Sequence, residues 1–112
     1  MAKSFDVDVA VREEPAQAQA SAATALREAA RAVGLRLTGQ AAGELRYRPR
    51  VQFPFLLMLW HNLNGERMTA RFAQGPEGGT RVHISGAVAS GSHDLASDPE
   101  HWSEALGGSP VP

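Results

Sequence analysis

A chain of 112 residues with a formal charge of −1 and no cysteine is bounded before any motif is read. Its length suits one domain with its own core, the missing thiols exclude disulfides and thiolate metal sites, and near-neutrality argues against a general nucleic-acid binder, which is normally basic. No apolar stretch approaches the ~20 residues needed to cross a bilayer, and "MAKSFDVDVAV" lacks the apolar centre of a secretory signal, so a cytoplasmic domain is expected.

In chain order, "SFDVDVAVR" (4–12) sets Phe5, Val7, Val9 and Val11 against Ser4, Asp6, Asp8 and Arg12. Period two marks a half-buried strand. Glu13-Glu14-Pro15 suits the first turn of a helix, and Ala16–Val33 is rich in helix formers with Gly34 as the stop. Ala18, Ala22, Ala25, Leu26, Ala29 and Val33 fall on one stripe, small enough for close approach to a sheet. "LRLTGQ" (35–40), "GELRYRPRV" (43–51), "ERMTARFA" (66–73) and "TRVHISGAV" (80–88) read as further strands, with "QGPEGG" as a turn. In "SDPEHWSEALGG" a capping box of Ser97 and Glu100, with Pro99 in the first turn and Gly107 at the end, predicts a short helix packing through Trp102, Ala105 and Leu106. The expected fold is α+β: one two-layer domain over residues 1–107, with a four- to five-stranded, largely antiparallel sheet. The alanine-rich helix and the C-terminal helix lie on one face, and residues 108–112 form a disordered tail.

"FPFLLMLWHNLNGER" (53–67) contains eight apolar residues in succession, Phe53 to Trp60. As a strand it would be apolar on both faces, with Pro54 restricting it to an edge. As a helix it would have Pro54 early and Asn64-Gly65 at its end, and the absence of β-branched residues from Phe53 to Asn64 favours that form. In either form the apolar surface exceeds one contact, and burial of each large side chain is worth about 1.5–3 kcal/mol. The C-terminal helix, a second copy of the chain, a partner or membrane surface, or a small apolar ligand would each cover the excess. Phe53, Phe55, Leu56, Leu57, Met58 and Trp60 are the side chains that would form such a contact or line such a pocket.

Arg46, Arg48 and Arg50 share one strand face, Arg67 and Arg71 the polar face of the next strand, and Arg81 with His83 that of the last. Guanidinium forks match phosphate or carboxylate, so Arg46, Arg48, Arg50, Arg67 and Arg71 are candidate anion contacts. The competing reading is a solvated sheet face whose arginines pair with Asp6, Asp8, Glu44 and Glu66. That face lacks the interleaved aromatics that stack RNA bases. His93, Asp94, His101 and Glu104 carry metal-ligand chemistry without a recognised spacing. Neither a nucleophile elbow nor a phosphate-binding loop is present. No catalytic constellation, metal or cofactor is expected.

The stretch "ERMTARFAQGPEGGTRVHISGAV", ending in "GTRVHISG", resembles strands of bacterial START-like (helix-grip) proteins and of small bacterial α+β domains with an alanine-rich helix. The START-like resemblance implies enclosure of an apolar ligand, although the closing helix here is brief where that family's is long. The sequence therefore leads to a non-catalytic domain acting by association, with itself as a homodimer or with a partner, through residues 53–60. The alternative is a START-like carrier or sensor of a small apolar ligand or lipid, and an interfacial membrane binder is a third reading.

Overall fold

A computed structural model describes residues 2–49 and 65–111. The alternation at the start of the chain becomes strand β1 (Ala2–Val11), which buries Phe5, Val7 and Val9 and turns Ser4, Asp6 and Ala10 to solvent. Helix α1 (Pro15–Ala25) and helix α2 (Arg27–Ala32) follow. They arise from the single helix expected over Ala16–Val33, which breaks at Leu26. The apolar stripe survives the break: Ala18, Ala22, Leu26, Ala29 and Val33 are buried, joined by Ala30, while Ala25 is exposed. Gly34 ends the second segment at φ 81°, where a side chain would be strained.

Strands β2 (Leu35–Ala41), β3 (Glu44–Pro49), β4 (Arg67–Gln74) and β5 (Thr80–Ala89) follow the four expected segments closely. Beyond β5 a 3-10 turn (Ser90–Ser92) and helix α3 (His93–Ala96) lead into helix α4 (Pro99–Leu106). The cap of α4 differs from expectation by one residue. Asp98 accepts the hydrogen bond from Glu100 N at 3.1 Å, whereas Ser97 Oγ donates back to the His93 carbonyl at 2.8 Å. An ionised carboxylate at the N-cap also complements the helix dipole. Pro99 and Gly107 sit at the two ends as read from the sequence, Gly107 with φ 66°.

The tail expected to fray from residue 108 instead supplies strand β6 (Ser109–Pro110), paired with Ala10 and Val9, and Val111 N donates to the Asp8 carbonyl at 3.0 Å. The sheet therefore has six strands among the described residues, in the order β2-β3-β4-β5-β1-β6, with every pair antiparallel. The helices cover one face. Their buried side chains join Leu45, Tyr47, Met68, Ala70, Phe72, Val82 and Ile84 from the sheet in one core. The Gln19 side chain ties α1 to the β2–β3 hairpin, donating to the Ala41 carbonyl at 2.7 Å and accepting from Gly43 N at 2.8 Å.

Connection lengths differ sharply. Ala42-Gly43 suffices between β2 and β3, and residues 75–79 between β4 and β5. Strands β3 and β4 are equally adjacent, Tyr47 opposite Met68, yet residues 50–66 join them.

Candidate functional site

Two places combine chemistry-bearing side chains: the uncovered sheet face, and a groove where the helices meet the β2 edge. The strand register assembles the first. Glu44, Arg71, His83 and Asp8 stand side by side across β3, β4, β5 and β1, and Arg46, Thr69, Ser85 and Asp6 form the adjoining row. Cross-strand neighbours of opposite sign stabilise such a face. Glu44 is the hub at one end: its Oε2 lies 2.6 Å from Arg46 Nε and its Oε1 3.4 Å from Arg71 Nε. The Arg46 hydrogen bond, assisted by Arg71, holds the Glu44 carboxyl below its ordinary range against a desolvation effect that would raise it.

At the other end His83 lies between two carboxylates, Nδ1 at 2.8 Å from Asp8 Oδ1 and Nε2 at 3.7 Å from Asp6 Oδ2. Because a carboxylate accepts, Nδ1 carries the hydrogen in the Asp8 bond. Asp6, Asp8 and His83 are the group among the described residues whose potential ligand atoms converge, all within 4.8 Å of one another. The imidazole is hydrogen-bonded to Asp8 through Nδ1 and turns Nε2 toward Asp6 beyond hydrogen-bond reach, so its two nitrogens point to different carboxylates. A shared cation would need a single nitrogen and both carboxylates to meet one point at about 2.0–2.2 Å.

The arginines read as anion contacts divide accordingly. Arg46 and Arg71 are turned to Glu44, Arg67 Nη1 donates to the Gly65 carbonyl at 2.7 Å, Arg48 is exposed, and Arg50 lies outside the described residues. The acids that the sequence offered as arginine partners are only partly used that way, since Asp8 is hydrogen-bonded to His83 and Asp6 lies beside the same ring. The histidines near the C-terminus separate. His93 Nε2 donates to the Ser4 carbonyl and His101 Nε2 to the Ala29 carbonyl, each at 2.9 Å, so both pin helices to neighbouring elements.

The second place was not visible as a site in the sequence. A groove of about 480 Å³ runs between α1–α2 and β2, floored by Leu35, Leu37 and Tyr47 and edged by Arg27, Arg31 and Arg36. Tyr47 is buried, and its hydroxyl has no hydrogen-bond partner among the described residues. Burial pushes the phenol up to about 12. Strand alternation places Tyr47 on the inward face; the missing partner depends on what α1, α2 and β2 bring to it, which sequence spacing does not encode.

The apolar contact residues Phe53, Phe55, Leu56, Leu57, Met58 and Trp60 lie outside the described residues. Comparison with protein-family models, curated proteins and solved structures found no significant match. No helix among the described residues is long and apolar enough to cross a membrane.

Proposed function

We propose that this is a non-catalytic association domain whose contact patch is the apolar run 53–60, with a second copy of the chain as the simplest partner. The supporting observation is the mismatch between β3 and β4. Adjacent antiparallel strands need only a two-residue link, and Ala42-Gly43 provides one next door. Residues 50–66 take that place between β3 and β4 and contain eight consecutive apolar residues. Connections this long within compact domains are usually either functional segments or linkers.

Two further observations favour the reading. Leu95 is the one large hydrophobic residue prominently exposed among the described residues, so no rival apolar patch competes for the role. A near-neutral chain also offers little charge repulsion to a second copy, and two-fold dimers are the commonest assembly.

The test is sedimentation velocity across the micromolar range on the wild type and Leu57→Asp. The reading expects a concentration-dependent dimer for the wild type and a folded monomer for Leu57→Asp, checked by far-UV circular dichroism. A wild type that stays monomeric throughout, or a Leu57→Asp chain that unfolds, overturns it.

A further inference from the structure

The open face of the sheet carries one row of charge that the pairs around Glu44 and His83 leave unanswered. Arg36 of β2 stands directly opposite Arg48 of β3. Tyr47 of β3 pairs with Met68 of β4, and one step further along that register Arg48 meets Arg67. Ala87 and Ser4 complete the row across β5 and β1. Three exposed arginines thus stand side by side in a row that contains no carboxylate. Neighbouring strands lie about 4.8 Å apart, so the three positions span roughly 10 Å.

Like charges set side by side destabilise a sheet. The adjoining rows avoid that cost, since Arg46 and Arg71 are turned to Glu44, and His83 stands beside Asp8 and Asp6. Arg36, Arg48 and Arg67 make no ion pair among the described residues, and Arg67 donates to the neutral Gly65 carbonyl. A charge on an edge strand can keep sheets from pairing, which accounts for Arg36. Arg48 and Arg67 lie on interior strands, where that reason does not apply. Beside Arg67, the hydroxyl residues Ser4, Thr69 and Ser85 line a shallow depression of about 560 Å³, with Arg71 and Asp6 at its rim. Hydroxyls add neutral donors to the guanidinium row.

We propose that the row Arg36–Arg48–Arg67 binds a compact polyphosphate. A carboxylate presents two oxygens and satisfies one guanidinium fork, whereas linked phosphates present oxygens on each phosphorus and answer several forks at once. The length of the ligand is bounded as well. Asp6 and Glu44 stand on the next two rows, so a long polyanion crossing the sheet would run into carboxylates. Two or three linked phosphates fit within the arginine row, and the face has no aromatics on which the bases of a nucleic acid would stack.

The experiment is isothermal titration calorimetry of the full chain with tripolyphosphate, orthophosphate and citrate, in metal-free buffer at about 0.15 M salt to screen long-range attraction. Tripolyphosphate is expected to bind saturably at one per chain, and the other two anions at least about tenfold more weakly. Arg48→Gln should weaken tripolyphosphate at least about tenfold, the scale of one charge-assisted hydrogen bond. Arg81→Gln removes the same charge from the same face, roughly 20 Å further along the sheet, and should bind as the wild type does. Thermal melts separate binding from folding. Arg48→Gln, relieved of a like-charge neighbour, should melt at or above the wild-type temperature, and tripolyphosphate should raise the melting temperature of the wild type alone. Absence of saturable tripolyphosphate binding would overturn the proposal. Citrate bound equally well, equal losses in the two variants, or an Arg48→Gln chain that melts lower would do the same.

Discussion

Phe5 of β1 and Trp102 of α4 stack face to face, their ring centroids 6.3 Å apart and their planes within 7° of parallel. This pair fastens the C-terminal helix to β1, the strand between β5 and β6. Trp102 is fully buried, and its Nε1 donates to the Ala96 carbonyl at 2.7 Å. Two losses can therefore be separated. Trp102→Ala should cost about 3–5 kcal/mol in urea unfolding, the scale of deleting a large buried ring. Trp102→Phe keeps most of the packing but strands the Ala96 carbonyl, so about 1–3 kcal/mol is expected. Equal losses for the two variants would place the hydrogen bond, rather than the ring, at the centre of this contact.

Much of the architecture was legible because it rests on local rules. Period-two alternation located Phe5, Val7 and Val9 on the inward face of β1, and Gly34 and Gly107 stopped their helices for the reason that makes glycine a stop signal. What failed was non-local. The tail strand forms because β1 leaves an unpaired edge that Ser109 and Pro110 can reach, and composition alone read those residues as frayed. The pairing of His83 with Asp8 depends on β1 lying beside β5, a contact across the length of the chain. The Tyr47 groove needs three elements to converge and so left no signature in spacing.

Gly86 tests the closeness of the sheet. It is paired with Met68 on one side and Phe5 on the other, and a Cβ there would collide with the Arg67 carbonyl and the Met68 Cα. Both obstacles are backbone, which cannot swing aside as a flexible side chain can, and glycine inside a strand often marks such an approach. Gly86→Ala should destabilise the fold by about 1–3 kcal/mol through overpacking. Gly91→Ala, where a Cβ meets nothing within 4 Å, should change stability by less than about 1 kcal/mol in either direction. Parallel thermal melts compare the two, and similar losses would contradict the packing argument.

The charged rows on the uncovered face predict an acid-side response. The Glu44 carboxyl is held below its ordinary value in the folded state by Arg46 and Arg71. A depressed carboxyl stabilises the fold above its unfolded value and loses that contribution as pH falls through the folded one. Glu44→Gln should therefore melt slightly below the wild type at neutral pH, and the gap should close as the solution is acidified below the ordinary carboxyl value of 4.5. Because the pairs are exposed, the gap should also shrink with added salt. A gap that persisted at low pH or in high salt would show that the glutamate acts through something other than these ion pairs.

Tyr47 is the chain's single tyrosine, so its ionisation can be followed without interference. Burial pushes the phenol up from an ordinary value of 10.0 to about 12, and absorbance near 295 nm should accordingly show little tyrosinate until well above pH 10 while the chain stays folded. The sign of the stability effect follows. Below pH 10 both folded and unfolded chains hold the proton, and the fold has its full stability. As pH rises past 10 the unfolded chain ionises first, so the fold loses ground until the buried phenol ionises near 12. A difference of that size corresponds to about 2–3 kcal/mol. Tyr47→Phe removes the titrating group together with an unbonded buried hydroxyl, and should be at least as stable as the wild type at pH 7. Its advantage should then widen through the alkaline range. A phenol that titrates near its ordinary value in the folded protein, or a phenylalanine variant less stable at pH 7, would mean that the hydroxyl is bonded or solvated.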